Sequence, residues 1–140
     1  MKIWNWDAMP EERLSETLSR RFFSGSQLTL ARFILKKGCF VPSHSHENEQ
    51  MSTVLTGALR FRVDGRDIVV RAGETLHIPP RVAHSAEALE DTDALDAFAP
   101  ARADWAEGRD AYLRAPKARK AARKSSPRRA APSRSPRSAP

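Results

Sequence analysis

The sequence predicts an all-β domain, a β-sandwich or small barrel, followed by a basic tail of a different character. Three observations predict it. Short runs alternate apolar and polar residues, turn signals recur about every 8–12 residues, and composition changes abruptly at residue 114. The elements follow in order. Pro10 to Ser19 carries Leu14 and Leu18 four apart, a spacing that predicts a short helix. Gln27 to Leu35 alternates, with Leu28 and Leu30 on one face. Leu59, Phe61 and Val63 alternate with Arg60, Arg62 and Asp64; Asp64-Gly65 then turns a hairpin, and Arg66 to Val70 returns with Ile68 and Val70 inward. Ala72-Gly73-Glu74 turns again into Thr75 to Ile78, which Pro79-Pro80 stops. His84 to Leu89 and Ala94 to Phe98 supply two more strands, and the segment around Trp105 is expected to be helical.

Composition narrows the class. Of 140 residues, 40% are apolar, enough for one compact core. No run of about 18 apolar residues exists, so no transmembrane helix is expected. Met1-Lys2-Ile3-Trp4-Asn5-Trp6-Asp7 has no apolar stretch behind its one lysine, so no secretory leader is expected. A single cysteine, Cys39, excludes an intramolecular disulfide and a cysteine-based zinc cluster. The expected compartment is the reducing cytoplasm.

The net charge of +7 conceals two objects. Arg114 to Pro140 holds 10 Lys or Arg and no acid, whereas residues 1–113 hold 14 bases and 17 acids, a net of −3. The tail has no apolar side chain larger than alanine and is expected to be disordered. The domain is therefore drawn at 1–113 and the tail at 114–140. No stacking aromatics accompany the tail's charges, so any polyanion binding should be non-specific and salt-dependent.

The chemistry lies with the histidines. His44 and His46 stand two apart in an extended segment after Pro42, and Gln50 keeps their parity if the intervening residues do not bulge. His84 opens a later strand. Two imidazoles from one strand and one from another can converge on a metal inside a barrel. Such nitrogens with one amide oxygen suit zinc, nickel, iron or copper better than magnesium or calcium. A bare His-x-His pair can equally be a solvated or capping pair. His77 has the opposite parity and reads as a surface or packing histidine.

The wider pattern carries a resemblance. Gly38-x5-His44-x-His46-x3-Gln50-x6-Gly57 resembles the first cupin motif, with glutamine in place of glutamate. Gly73-x5-Pro79-x4-His84 resembles the second, departing at Arg81 (usually glycine) and Ala88 (usually asparagine). The resemblance implies a cupin jelly-roll barrel with His44, His46, Gln50 and His84 as metal ligands. The cofactor it implies is one divalent transition metal: zinc, nickel, iron or manganese. The stretch from Ala88 to Trp105 is similar to the pectin-degradation cupins, which convert cyclic 4,5-unsaturated uronates to linear keto forms. In that family an Asp-x-Phe-x3-Arg unit faces the metal, and Asp96, Phe98 and Arg102 keep the spacing. The resemblance thus implies Asp96 and Arg102 in catalysis, Phe98 and Arg102 at the substrate, and a small anionic sugar as ligand.

Residue by residue, other readings stand beside these. Asp96 sits in the apolar run Ala94 to Phe98, where a carboxylate must be paired or take up a proton. It is either a general acid–base or the partner of a nearby arginine. Arg102 could fork onto a substrate carboxylate, or onto Asp104 or Asp96. Phe98 is core or pocket wall, and Trp105 packs over the barrel. Three imidazoles and an amide leave a metal's charge uncompensated, which favours Lewis-acid chemistry over dioxygen chemistry. The alternatives are a cupin dioxygenase and a non-catalytic sugar-binding cupin. Trp4, Trp6, Phe22 and Phe23 are expected to form an interface strand in a homodimer.

Overall fold

Alternation sorts the side chains of each strand onto two faces, and in a computed structural model describing residues 1–114 the apolar faces of two antiparallel sheets meet. The strands are β1 (Glu12–Arg13), β2 (Leu18–Ser24), β3 (Thr29–Leu35), β4 (Phe40–His44) and β5 (Glu49–Thr56). After them come β6 (Ala58–Val63), β7 (Arg66–Arg71), β8 (Thr75–Ile78), β9 (His84–Ala88) and β10 (Thr92–Ala99). Two short helices close the described chain, α1 (Ala103–Ala106) and α2 (Ala111–Arg114). One sheet runs β1-β2-β3-β10-β5-β8 and the other β4-β9-β6-β7. The two-sheet sandwich is the all-β jelly roll that the sequence predicts.

Period-two burial is clearest on the central strand β10, where Thr92, Ala94, Asp96 and Phe98 are buried. Register places Asp96 opposite Ala31 and Ser52, and Phe98 opposite Gln50. The inner face thus gathers three polar side chains among Val54, Leu59, Phe61 and Ile78. Two turns have a specific backbone need. Asp64 and Gly65 both hold positive φ, 51° and 79°, as a two-residue hairpin of right-handed twist requires. Gly57 (φ 93°) lies against the backbone of Asp91 and Thr92, where a Cβ would collide.

Three expectations need correction. Pro10 to Ser19 is no helix: the Leu14 and Ser15 amides both donate to the Leu18 carbonyl, so the leucines face each other across a tight turn joining β1 to β2. Both are buried, and a four-residue spacing arises as readily from a hairpin as from a helical turn. In β3 the inward set is Thr29, Ala31, Phe33 and Leu35; Leu28 is 53% exposed. Phe33 on this face packs edge-on against Trp105, 6.0 Å between ring centres. The four aromatics near the N-terminus divide: Trp4 stacks on Phe23 outside the sheet, while Phe22 points inward onto Trp105. The expected helix at Trp105 and the strands from Leu59 to Ile78 are present. The expectation of a disordered tail lies outside the described residues, except that Arg114 closes α2 and pairs with Asp110.

Candidate metal centre

His44 ends β4 directly opposite His84, which begins β9 in the same sheet. His46 lies beyond β4 in the loop that crosses to the other sheet, where β5 presents Gln50. Gln50 therefore joins the histidines by facing them from the opposite sheet, rather than by sharing strand parity. One ring nitrogen from each histidine lies within 4.8 Å of the others. The Nδ1 of His44 donates to Pro42 O (2.8 Å), that of His46 to Asn48 O (3.0 Å), and that of His84 to Val82 O (2.8 Å). A carbonyl only accepts, so each Nδ1 carries the proton and each Nε2 keeps a lone pair for an electrophile. Burial drives His44 down to about 3, helped by the neighbouring His84. Burial and then Arg102 bring His46 to about 4, and His84 is lowered by burial. The triad is neutral around pH 7.

Two contacts test whether a cation fits. The Nε2 of His84 is buried without a hydrogen-bond partner. The Nε2 of His46 stands 3.0 Å from Gln50 Oε1, although both are acceptors. The Gln50 amide is held that way round because its Nε2 donates to Ser52 Oγ at 2.9 Å and towards Asp96 Oδ2 at 3.4 Å. Acceptors that close belong on a shared cation: donors about 2.1 Å from one ion and at right angles to each other are about 3 Å apart. His44, His46, His84 and Gln50 fit one divalent metal.

Asp96 is buried, its Oδ1 without a partner. Burial pushes its carboxyl up to about 7, against a hydrogen bond from Ser52 and the attraction of Arg102. Arg102 is fixed by its own amide, which donates to Thr29 Oγ1 (2.8 Å), and by its guanidinium. Nε and Nη2 grip Asp104 at 2.9 and 2.7 Å, and Nη2 also donates to Tyr112 Oη at 2.7 Å. The guanidinium carbon lies 4.7 Å from the Phe98 ring centre and 4.4 Å from that of Trp105. Burial opposes the arginine's charge, but Asp104 and Tyr112 outweigh it and hold its pKa above the usual value. His44, Gln50, His84, Asp96, Phe98 and Arg102 share one cavity of about 60 Å³, which Trp105, Tyr112 and Leu113 also line.

The chain matches the cupin domain family over residues 31–97. Residues 31–97 are a cupin domain. No curated protein matches the chain. Among solved structures, KdgF from a Halomonas species superposes with a TM-score of 0.71 at 22% identity, covering 75% of this chain and 98% of that one. An RmlC-like cupin from Shewanella frigidimarina gives 0.71 at 27% identity, over 75% and 96%. Oxalate decarboxylase of Bacillus subtilis, a protein with Mn(II) centres, gives 0.62 at 19%, over 69% of this chain and 29% of that one.

Every candidate site residue named from the sequence lies at the cavity or in the histidine cluster; His77, read as a surface or packing histidine, is exposed and pairs with Glu49 at 2.6 Å. Of the two readings of Asp96, the arginine pair is not formed with Arg102, which binds Asp104 instead. Phe98 is both core and wall, edge-on to His46 at 5.8 Å between ring centres. Two participants escape sequence reasoning. Ser52 follows from parity, two residues after Gln50 on the same strand. Tyr112, its ring 4.3 Å from that of His44, has no signal, since it lies past the last motif in a four-residue helix.

Proposed function

We propose that this cupin is a metal-dependent isomerase that converts a cyclic 4,5-unsaturated uronate to its linear keto form by proton transfer. The observation that carries the reading is Asp96, a buried carboxyl raised to about 7 that shares a pocket with Gln50 and the histidine cluster His44, His46 and His84, which could hold a metal ion. At that pKa one group can both accept and return a proton near neutral pH. The similarity of Ala88–Trp105 to the pectin-degradation cupins supplies the substrate class.

A divalent ion on His44, His46, Gln50 and His84 would supply Lewis acidity toward sugar oxygens. Arg102 holds the C6 carboxylate, its orientation set beforehand by Asp104 and Thr29. Phe98 and Trp105 flank that guanidinium and exclude water, which strengthens its grip. Opening the ring moves a proton from the C1 hydroxyl to the ring oxygen; ketonisation moves one from the resulting C5 enol to C4. Asp96 holds and returns the proton in these shifts. Atoms and electrons balance within the sugar, so neither dioxygen nor a reductant is consumed.

The test is Asp96→Asn in the metal-loaded protein. Uronate turnover should fall about 10²–10⁴-fold, the usual worth of one acid–base group, while metal content stays stoichiometric. His46→Ala should lose most of the metal. Unchanged turnover in Asp96→Asn, or oxygen uptake without loss of the substrate's double-bond absorbance in the wild type, would overturn the reading.

A further inference from the structure

Two aromatic rings run from the histidine cluster to Arg102. The Phe98 ring centre lies 5.8 Å from that of His46 and 4.7 Å from the Arg102 guanidinium carbon. The Tyr112 ring centre lies 4.3 Å from that of His44, and its hydroxyl oxygen accepts from Arg102 Nη2 at 2.7 Å. Both rings line the same cavity. A ligand that reaches from the histidines to the guanidinium therefore lies against both. Phe98 offers it apolar surface alone, whereas Tyr112 brings a polar atom to the arginine end of the cavity.

What that atom has left to give follows from its partners. A phenol oxygen accepts through its lone pairs and donates its one proton. Here it accepts twice, from Arg102 Nη2 and from the Trp105 indole N–H at 3.2 Å. A guanidinium and an indole N–H are donors only, so neither can take the phenol's proton in return. That proton has no acceptor among the described residues and is left for one in the cavity. Arg102 is in the same position. Asp104 takes Nε and one proton of Nη2, Tyr112 takes the other, and Nη1 makes no hydrogen bond among the described residues. Two free donors, a guanidinium N–H and a phenol O–H, thus stand together at one end of the cavity. A carboxylate has two oxygens, both acceptors, and can receive one donor on each. A hydroxymethyl group presents one uncharged oxygen where two donors wait.

We infer that Tyr112 is a substrate-recognition residue, its hydroxyl donating to one oxygen of the ligand carboxylate while Arg102 Nη1 donates to the other. The inference rests on the proposed role of Arg102 as holder of a uronate carboxylate. It places part of the choice between an acidic and a neutral sugar in α2, outside residues 31–97 of the cupin domain.

Calorimetric binding of D-galacturonate and D-galactose to the metal-loaded, full-length protein tests it, because the two sugars differ only at C6. Tyr112→Phe keeps the ring on His44 and removes the hydroxyl. Galacturonate should bind this variant about 10–100-fold more weakly, the usual effect of losing a hydrogen bond to a charged group. Galactose affinity should not change. A second measurement separates donation to the ligand from support of Arg102. Tyr112 is the chain's one tyrosine, so growth on 3-fluorotyrosine alters this position alone. Fluorine beside the hydroxyl makes it a stronger donor and a weaker acceptor. At slightly acid pH, where the fluorophenol keeps its proton, galacturonate should bind the fluorinated protein more tightly than the wild type. A phenol that only holds Arg102 in place gives weaker binding instead. Unchanged or tighter galacturonate binding in Tyr112→Phe, or unchanged or weaker binding in the fluorinated protein, overturns the role of Tyr112 and leaves the uronate reading standing. A wild type that binds no galacturonate overturns both.

Discussion

Arg81 holds a φ of 65° with its side chain exposed, at the position where the second cupin motif usually has glycine. Its amide donates to the His46 carbonyl at 2.8 Å, so the strained turn braces the loop that carries a member of the histidine cluster. A Cβ in the left-handed region costs about 1–2 kcal/mol, and glycine gives back about 0.4–1 kcal/mol through a freer unfolded chain. Arg81→Gly should therefore stabilise the domain by about 0.5–1 kcal/mol, raising Tm by about 2–5 °C. A lower Tm in that variant would show that the arginine makes a contribution larger than the strain it bears. Asp96 is the other instructive residue. Its shared face with Phe98 was legible from parity, but that this face is the interior was not, because Leu95 and Ala97 on the other face are apolar too. Its lack of an arginine partner was not legible either, since Arg102 chooses Asp104 through the turn that starts α1.

At the scale of elements, α2 is fastened by charge. Arg20, 1% exposed, donates to Glu12 and Asp110, both at 2.9 Å, and Arg114 binds the same aspartate at 3.1 Å. Burial alone would raise Asp110, but the hydrogen bonds from Arg114 and Arg20 outweigh it and leave the carboxyl below its usual value. A group with a depressed folded pKa stabilises above its unfolded pKa of about 3.9 and loses that stabilisation as pH falls through the folded value. Asp110→Asn should cost about 3 kcal/mol at pH 7, because Arg20 is left buried with one partner fewer. The gap between variant and wild type should narrow only below about pH 4. Thermal melts at pH 7, 5 and 3 measure it, and a gap unchanged at pH 3 would remove Asp110 ionisation as its source. The misplaced helix at Pro10 to Ser19 belongs here too. Leu14 and Leu18 do share a face, but β1 pairs with β2 only if the chain doubles back at Ser15 to Thr17.

For the whole molecule, charge and apolar surface separate cleanly. Ten bases follow Leu113, and Arg114 alone among them has described contacts, with Asp110 and Glu12. Truncation after Arg114 should leave Tm and metal binding unchanged, because no side chain beyond it is apolar and larger than alanine. Weak polyanion binding at low salt should disappear with it. A drop of several degrees would mean that the tail packs on the barrel. The outer face of the larger sheet exposes Ile34 (36%), Met51 (47%) and Leu55 (40%), with Trp4 (45%) beside them. A homodimer through this face is expected, and Ile34→Glu should convert it to monomer in sizing at micromolar concentration. A wild-type monomer under the same conditions would refute it.

The sequence by itself determined the class of fold, the Asp64-Gly65 hairpin and which residues to propose as ligands. These are local matters: alternation decides which side chains share a face, Asp64-Gly65 dictates a turn, and the spacings around His44, His46, Gln50 and His84 recur in a known motif. Tertiary structure decided what crosses between distant segments. The histidines and Gln50 meet because two sheets face each other, the inward face of β3 is the one that packs on Trp105, and Tyr112 reaches the cavity from far along the chain. No periodicity encodes such contacts, because each depends on how whole elements pack.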